Sequence, residues 1–302
     1  ATGSRPLALP GNPFAGALID STQALELNTL PSSAVIIGAG AVALEFASLW
    51  NAAGCEVTLL IRKDRVLSTW ERRASMTLTR ELKRRGVNVI ARTAVDRVDT
   101  GANLGATVHY RQGDSDEDRT AYGEVVLAAI GRVPNTDADW FRSSGLKLDE
   151  RGYVTVDGYG RTNLDGVWAL GDITPGHALA HRAFEQGITI AEKIAGADPK
   201  PVLDDTVPQV VFSFPEAASV GLTLDQAKAR EDVVEPKETA YPMLSNARML
   251  MSGEGGSMTV VSGAFANNPD MQVVLGVHIV SPIASDLIAE AEQLVGNRVP
   301  LA

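Results

Sequence analysis

A single cysteine, Cys55, in 302 residues excludes an internal disulfide framework and any cysteine-based metal cluster. It fits a reducing compartment, and the cytoplasm is the expected location. Positive charge is also short: 27 Lys and Arg stand against 37 Asp and Glu, a net charge of −10. That field repels phosphate backbones and anionic lipid, so neither nucleic acid nor a membrane surface is an expected partner, although a local basic pocket stays open. Gly (28) and Pro (15) are too few for a collagen-like or low-complexity chain. No apolar run is long enough for a membrane span. The longest, 34–50, contains Glu45 and the pair Gly38 and Gly40, a strand–turn–helix pattern. No signal peptide is visible, and the opening Ala-Thr-Gly-Ser without Met reads as a cut. What is present, 45% hydrophobic and 21% charged residues, suits a globular chain of about two domains.

Residues 1–16 are rich in Pro and Gly and show no periodicity. Ala34-Val35-Ile36-Ile37 reads as a buried parallel strand, Ala43 to Asn51 as a helix stopping near Gly54, and Glu56 to Ile61 as a second strand. A charged helix over 71–85 stops at Gly86, and Val87 to Ile90 follows as a third strand. Strand–helix–strand–helix–strand with short links predicts a parallel sheet with right-handed crossovers. Val95–Val98 and Thr107–Arg111 read as antiparallel strands, with the acidic run Gly113 to Asp118 as the polar turn between them. That run lacks the loop glycine and closing glutamate of a calcium site. Val125–Ile130, Val154–Val156 and Val167–Leu170 read as strands, and Ala180–Ile194 as a helix. Beyond the link at 198–208 the pattern becomes antiparallel: strands near 210–214, 219–221, 258–261 and 273–280, helices near 223–230 and 285–294. A domain boundary falls near residue 203.

Gly38-x-Gly40-x-x-Ala43 lies between a strand and a helix inside a βαβ unit. Gly38 permits the tight turn, Gly40 lets a pyrophosphate approach the backbone, and Ala43 lets the helix pack close to the strand. The helix N-terminus offers unpaired N–H groups to phosphate. A bland glycine-rich turn is the alternative. NAD-binding folds place a carboxylate at the end of the second strand, for the ribose 2′-OH. Here that strand ends Leu60-Ile61-Arg62-Lys63, and a guanidinium suits a 2′-phosphate. Residue chemistry leans to NADP, with a solvated Arg62 as the alternative.

The stretch Thr162 to Asp172 delivers Gly171-Asp172 at the end of a strand, where open α/β sheets bind ligands. Asp172 can accept hydrogen bonds from a sugar or ribityl hydroxyl, and the helix near Ala180 can point its N-terminus at a flavin or phosphate. His177 and His181 have a metal-compatible spacing, but only Asp172 and Glu185 stand nearby to complete a set, so no metal is expected.

Several motifs occur in order: Ala1-Thr2-Gly3-Ser4-Arg5-Pro6; Gly38-x-Gly40-x-x-Ala43-x-Glu45; Ala129-Ile130-Gly131-Arg132-x-Pro134-Asn135; Gly171-Asp172; Leu179-Ala180-His181; Phe212-x-x-Pro215-Glu216-x-Ala218-x-Val220-Gly221; and Gly276-Val277-His278. Together they resemble the pyridine nucleotide–disulfide oxidoreductases, across essentially the whole chain. Asn246-Ala247-Arg248 with Gly253-Glu254-Gly255-Gly256, and the segment from Gly276 to Ala291, look most like the dihydrolipoyl dehydrogenase branch. The resemblance implies an α/β fold: a Rossmann-like NAD(P) domain inserted in a partial FAD domain, followed by an α+β interface domain that makes a homodimer. The implied boundaries are 1–16 and 135–203 for the FAD part, 17–134 for the NAD(P) domain and 204–302 for a truncated interface domain. By position, Thr2, Gly3 and Ser4 would touch FAD, Asp172 would hold the ribityl chain, and Ala178, Leu179, Ala180 and His181 would lie along the flavin. Gly38, Ala39, Gly40, Ala41, Val42, Ala43 and Glu45 would bind the nicotinamide dinucleotide, with Val95 and Gly131 beside it and Glu45 assisting catalysis near the flavin.

The departures are specific. The FAD glycine-rich motif, the paired redox cysteines and the His-Glu acid–base pair of the resembled family are not found in these residues, and Cys55 reads as a packing residue. Ile61 stands where the branch has an NAD-selecting glutamate, and Arg62 matches the NADPH-using glutathione reductases. The reaction implied runs from a dithiol such as lipoamide, through an enzyme disulfide and FAD, to NAD(P)⁺. The isolated chain is expected to be inactive. A non-catalytic nucleotide-binding and dimerisation module, and an NADPH-dependent glutathione or mercuric reductase-like enzyme, remain as alternatives.

Overall fold

The computed structural model describes residues 1–101, 105–253 and 255–301. Glu254 of the Gly253–Gly256 motif and the terminal Ala302 therefore lie outside the described residues. The chain divides into two compact units, one formed by Ala1–Pro6 with Arg132–Val207 and the other by Leu7–Gly131 with Pro208–Ala302. The first break falls ten residues before the expected 16/17, because Leu9 and Phe14 pack with Leu18, Val35 and Ile37 in the second unit. Arg132–Pro134 goes the other way, pairing antiparallel with Ser4–Pro6.

The second unit is built on a five-stranded parallel sheet. Its order is Leu18–Ile19, Val125–Ala128, Ser33–Ile37, Glu56–Ile61 and Asn88–Ala91. Burial on both faces explains the unbroken apolar runs. Ala34, Ile36, Leu59, Ile61 and Leu127 face one way. They meet Leu44, Ala47 and Trp50 of the Ala41–Ala52 helix, and Leu78 and Leu82 of the Arg72–Arg84 helix. Val35, Ile37, Leu60, Val126 and Ala128 face the other way, onto Ala106, Val108 and Tyr110 of a three-stranded antiparallel sheet. That smaller sheet corrects one expectation. The acidic run 113–118 links Ala106–Gln112 to Arg119–Gly123, and does not lie between the strands at 95 and 107. Arg119 is bonded back to Glu117 and Gln112 there.

Residues 208–301 add a second sheet, all antiparallel, ordered Gln209–Val211, Glu216–Gly221, Asn268–Ser281, Ser257–Phe265 and Val233–Pro242. The helix Ala284–Gly296 packs Ile288, Ala291 and Val295 against Ala218, Val220, Val277 and Ile279. The edge strand Val233–Pro242 was not anticipated. It leaves most of its side chains exposed, so no hydrophobic alternation betrays it. In the first unit, the expected strands at 154–156 and 167–170 are reduced to the isolated bridges Leu148–Val154 and Arg161–Trp168. Their apolar residues fill a small core of Phe141, Val154, Ala169 and Ile173. The long helix there is Ala180–Ile194. Among the described residues, no helix is long and apolar enough to cross a membrane.

His278 is buried in the middle of the antiparallel sheet. Its Nε2 lies 3.2 Å from the Leu222 carbonyl oxygen, which can only accept, so Nε2–H donates and Nδ1 accepts from the Ser219 hydroxyl at 2.8 Å. Burial pushes the imidazole below its ordinary value near 6.5, against a weaker upward pull from the Leu222 carbonyl. The neutral ring is the form the fold holds. As pH falls below 6.5 the unfolded chain takes up a proton that the native chain refuses, so stability is full above that value and declines beneath it, down to the depressed native pKa. Urea midpoints measured across pH 4.5–7.5 should show this decline (about this range follows from the imidazole reference value), and His278→Asn should flatten it.

Candidate functional site

The turn after Ser33–Ile37 is tightly constrained in the second unit. Gly38 has φ +143°, and a Cβ there would stand 2.2 Å from the Ala129 carbonyl oxygen. Only glycine satisfies both demands. Ala43 lies 3.4 Å from the same point, so the small residue of the motif is the one that faces the turn. Gly40 plays a different part. Its backbone is extended (φ −91°), and a Cβ there would meet nothing within 4 Å. It caps the Ala41–Ala52 helix without any side-chain cap bond, which leaves the first-turn N–H groups of Ala41, Val42 and Ala43 without a side-chain partner. A pyrophosphate fits this arrangement: no side chain obstructs it, and unpaired donors with a positive helix end meet it.

The loop leaving Glu56–Ile61 is stitched to the turn by Leu67 N–H, which donates to the Ala39 carbonyl at 2.9 Å. Leu67 holds a left-handed φ of 45° to do so. Arg62 and Lys63 follow the strand and are exposed. Asp64, the nearest carboxylate, is engaged by Arg65 at 2.9 Å, and Arg65 also donates to the Ser68 carbonyl. Arg92 alone joins Asn88–Ala91 to Thr93–Asp99, with φ 58°. A non-glycine residue there costs about 1–2 kcal/mol. Gly131 has φ +144° and open space at its Cβ position. Val95 is half-buried in the hairpin and packs against the sheet core.

Glu45 is half-buried on the 41–52 helix. Its Oε1 accepts the Phe212 backbone N–H at 3.0 Å, and Ser48 Oγ, one turn on, accepts the Phe214 N–H at 3.2 Å. The two side chains staple the segment before Pro215 to the Ala41–Ala52 helix, and the Arg85 guanidinium lies 3.7 Å from the Phe214 ring centre. The sequence reading gave Glu45 a role toward a nicotinamide and missed this partner, which is 167 residues away.

The first unit gathers the other expected residues. Ser4 Oγ donates to Asp172 Oδ2 at 2.5 Å and accepts from Arg132 Nε at 2.7 Å. Thr2 and Gly3 are held by Asn135, whose side chain and backbone N–H donate to their carbonyls. Asp172 Oδ1 accepts nothing from the described residues, so it is available to a hydroxyl donor. Gly171 supports it with φ +72° and a bond from its N–H to Gln186 Oε1 at 2.8 Å. Ala178, Leu179, Ala180 and His181 lead into the Ala180–Ile194 helix, and Leu179 caps it with no side-chain bond. Arg182, in the first turn, is buried and binds Asp204 and the Pro175 carbonyl, both at 2.6 Å. A ribityl or phosphate group matches these donors and acceptors.

Cys55 sits in the core beside Trp50 and Val57, and burial with the nearby Glu124 and Glu56 carboxylates pushes its thiol up to about 11. Among the described residues no group of three or more His, Cys, Asp or Glu side chains stands close enough to hold a metal ion.

A family model described as pyridine nucleotide-disulphide oxidoreductase matches residues 1–187, and one described as its dimerisation domain matches 207–302. The dihydrolipoyl dehydrogenase of Geobacillus stearothermophilus is 38% identical over 296 residues, covering 96% of this chain and 60% of the relative. That of Cupriavidus necator is 37% identical over 294 residues, covering 96% and 60%. The crystal structure of LpdA from Mycobacterium tuberculosis aligns with a TM-score of 0.86 at 30% identity, over 99% of this chain and 63% of that one. The chain thus spans about three fifths of the length of the curated relatives it matches. The two matches account for the parallel sheet with its glycine turn and for the antiparallel sheet beyond it, and they make the chain a member of the pyridine nucleotide-disulphide oxidoreductase family.

Proposed function

We propose that the chain supplies the pyridine-nucleotide site, part of the flavin site and the dimerisation region of an FAD-dependent disulfide oxidoreductase of the dihydrolipoyl dehydrogenase type. The observation that carries this reading is the Gly40 cap: a helix N-terminus with no side-chain cap bond, and open space at the Gly40 Cβ position, at the carboxyl end of a parallel sheet. Members of the family use FAD and NAD(P). When bound, FAD would accept the electron pair that a dithiol such as dihydrolipoamide passes through an enzyme disulfide, and NAD(P)⁺ would receive it as hydride.

The chain's own residues bind and orient. The N–H groups of Ala41, Val42 and Ala43 receive pyrophosphate oxygens. Asp172 would take a ribityl hydroxyl on its open oxygen, while Ser4, itself held by Arg132, donates to the other. The backbone from Ala178 to His181 would lie along the flavin. Glu45 orders the 212–214 segment through the Phe212 N–H and assists from the nucleotide side. Residues 204–302 form the contact of a homodimer. Residues 1–6 and 132–203 belong to the flavin part and 7–131 to the nucleotide part.

The two glycines separate fold from function. Gly38→Ala should cost about 3 kcal/mol or more in urea unfolding, since it adds a forbidden backbone angle and a clash with backbone oxygen. Gly40→Ala should cost only about 1 kcal/mol, yet weaken NAD(P)H binding by fluorescence titration roughly tenfold. Unchanged nucleotide affinity in Gly40→Ala would remove the main support for this reading.

The one thiol cannot cycle between dithiol and disulfide within the chain. With its pKa near 11, about one part in a thousand is thiolate at pH 8. Iodoacetamide should therefore label the native protein far more slowly than the urea-unfolded protein. NAD(P)-linked dihydrolipoamide turnover should be absent from the 302 residues alone, and a measurable rate would contradict that.

A further inference from the structure

We propose that the cleft between the Arg72–Arg84 helix and the antiparallel sheet is a further ligand site, one that takes a short zwitterionic peptide. The peptide's carboxylate meets an arginine wall and its ammonium meets a facing carboxylate wall. The cleft holds about 780 Å³ within the second unit. That volume falls in the range of small-molecule sites, roughly 300–1,000 Å³. The cleft shares no lining residue with the Gly38–Gly40 turn, and the inference does not rest on the nucleotide reading.

One wall is the first half of the helix with the loop before it. Arg72, Met76 and Arg80 recur every four residues and so share a face, with Arg73 beside them. The guanidinium groups of Arg72 and Arg73 have no hydrogen-bond or ion-pair partner among the described residues. Arg80 is held loosely, 3.7 Å from Glu81 Oε1, while Arg84 takes the other oxygen at 2.8 Å. Glu71, at the base of this wall, has both carboxylate oxygens committed to the Arg73 and Ala74 N–H groups. It occupies the helix N-terminus, so an arriving anion is left to the arginines.

The other wall comes from the helix Leu224–Ala229 and the edge strand Val233–Pro242. Thr223 and Gln226 are tied to each other in a capping box. The charge of this wall is carried by Asp225 and Glu238, whose carboxylates have no hydrogen-bond or ion-pair partner among the described residues. Burial, then the Glu71 and Asp225 carboxylates, raise the Glu238 carboxyl above its ordinary value, and Arg73 and Lys228 offset this only in part. The spot is short of positive charge, which an ammonium supplies.

Opposite charges therefore line one open cleft, and among the described residues no bond joins the arginines to Asp225 or Glu238. Both walls also carry apolar surface, Trp70 and Met76 on the arginine side and Leu224 on the other. A peptide with free ends satisfies all three features at once. Its carboxylate takes charge-assisted hydrogen bonds from the guanidinium groups, its ammonium donates to the carboxylates, and its side chains cover the apolar surface. A simple anion leaves Asp225 and Glu238 unmet, and a simple cation leaves the arginines unmet.

The test titrates the 302-residue chain by isothermal calorimetry with leucyl-leucine, with its N-acetyl form and with its C-terminal amide. Leucyl-leucine should bind, and blocking either end should weaken it roughly tenfold or more. Glu238→Gln should weaken leucyl-leucine by a similar factor and leave the N-acetyl form, which has no ammonium, unchanged. The double variant Arg72→Gln with Arg73→Gln should weaken leucyl-leucine and leave the amide unchanged. The blocked peptides are the internal control for folding: a variant that weakens free and blocked peptides alike overturns its assigned contact. No binding of leucyl-leucine, or equal affinity for all three peptides, overturns the proposal. Weakening by only one of the two blocking groups leaves a site for a single charge and overturns the zwitterion assignment. Tighter binding of O-phosphoethanolamine, a zwitterion with no apolar side chain, overturns the peptide assignment.

Discussion

The close passage of Gly38 against the Ala129 carbonyl governs the geometry of the nucleotide unit. At that point the main chain turns from a buried strand into a helix with no room for even a methyl group. The Ala129 N–H is in turn bonded to the Ile37 carbonyl, so the turn and the end of the neighbouring strand are locked together. The helix that starts at Ala41 then packs its small Ala43 toward the turn and its large Trp50 into the core, where Phe46 meets it at 5.1 Å. The direction of the helix N-terminus, and so the place where an anion can be met by backbone donors, follows from that one contact.

Around it the structure uses side chains to fasten distant segments. Glu45 and Ser48 hold the 212–214 backbone, and Ser257 reaches Thr77 across the same unit. The antiparallel sheet is thereby tied to the helices of the parallel one through polar bonds as well as apolar burial. Glu71 serves a similar purpose within the nucleotide part: its buried carboxylate accepts from the Arg73 and Ala74 N–H groups and caps the 72–84 helix.

Much of this was legible in the residues. The 34–37 run, the glycine spacing and the apolar strand 56–61 point to one another, because a buried parallel strand needs continuous hydrophobicity and a phosphate turn needs glycine. The Gly171-Asp172 pair was expected at the end of a strand, but it opens a short 3-10 turn after the isolated Arg161–Trp168 bridge. Contacts made across long separations were not legible. Nothing near Glu45 in the sequence marks Phe212 as its partner, and nothing near Asp172 marks Ser4. The strand Val233–Pro242 escaped because an edge strand with solvent on most side chains has no alternation to read. The strands expected at 154–156 and 167–170 failed in the opposite sense: their apolar residues are buried, but in a small core of loops and bridges. Arg92 gave no local signal, since its left-handed angle comes from bonds to Lys63 and Gly113 on separate loops.

The burial of Cys55 has a practical side. With its sulfur packed among the core of the parallel sheet, the native fold presents no competing thiol to a surface reagent. A cysteine introduced at an exposed position, such as Thr69 or Glu192, would accept a spin label or fluorophore alone, with no need to strip the wild-type residue first. The two units could then be tracked in solution by paired probes, one on each, in an otherwise unaltered chain.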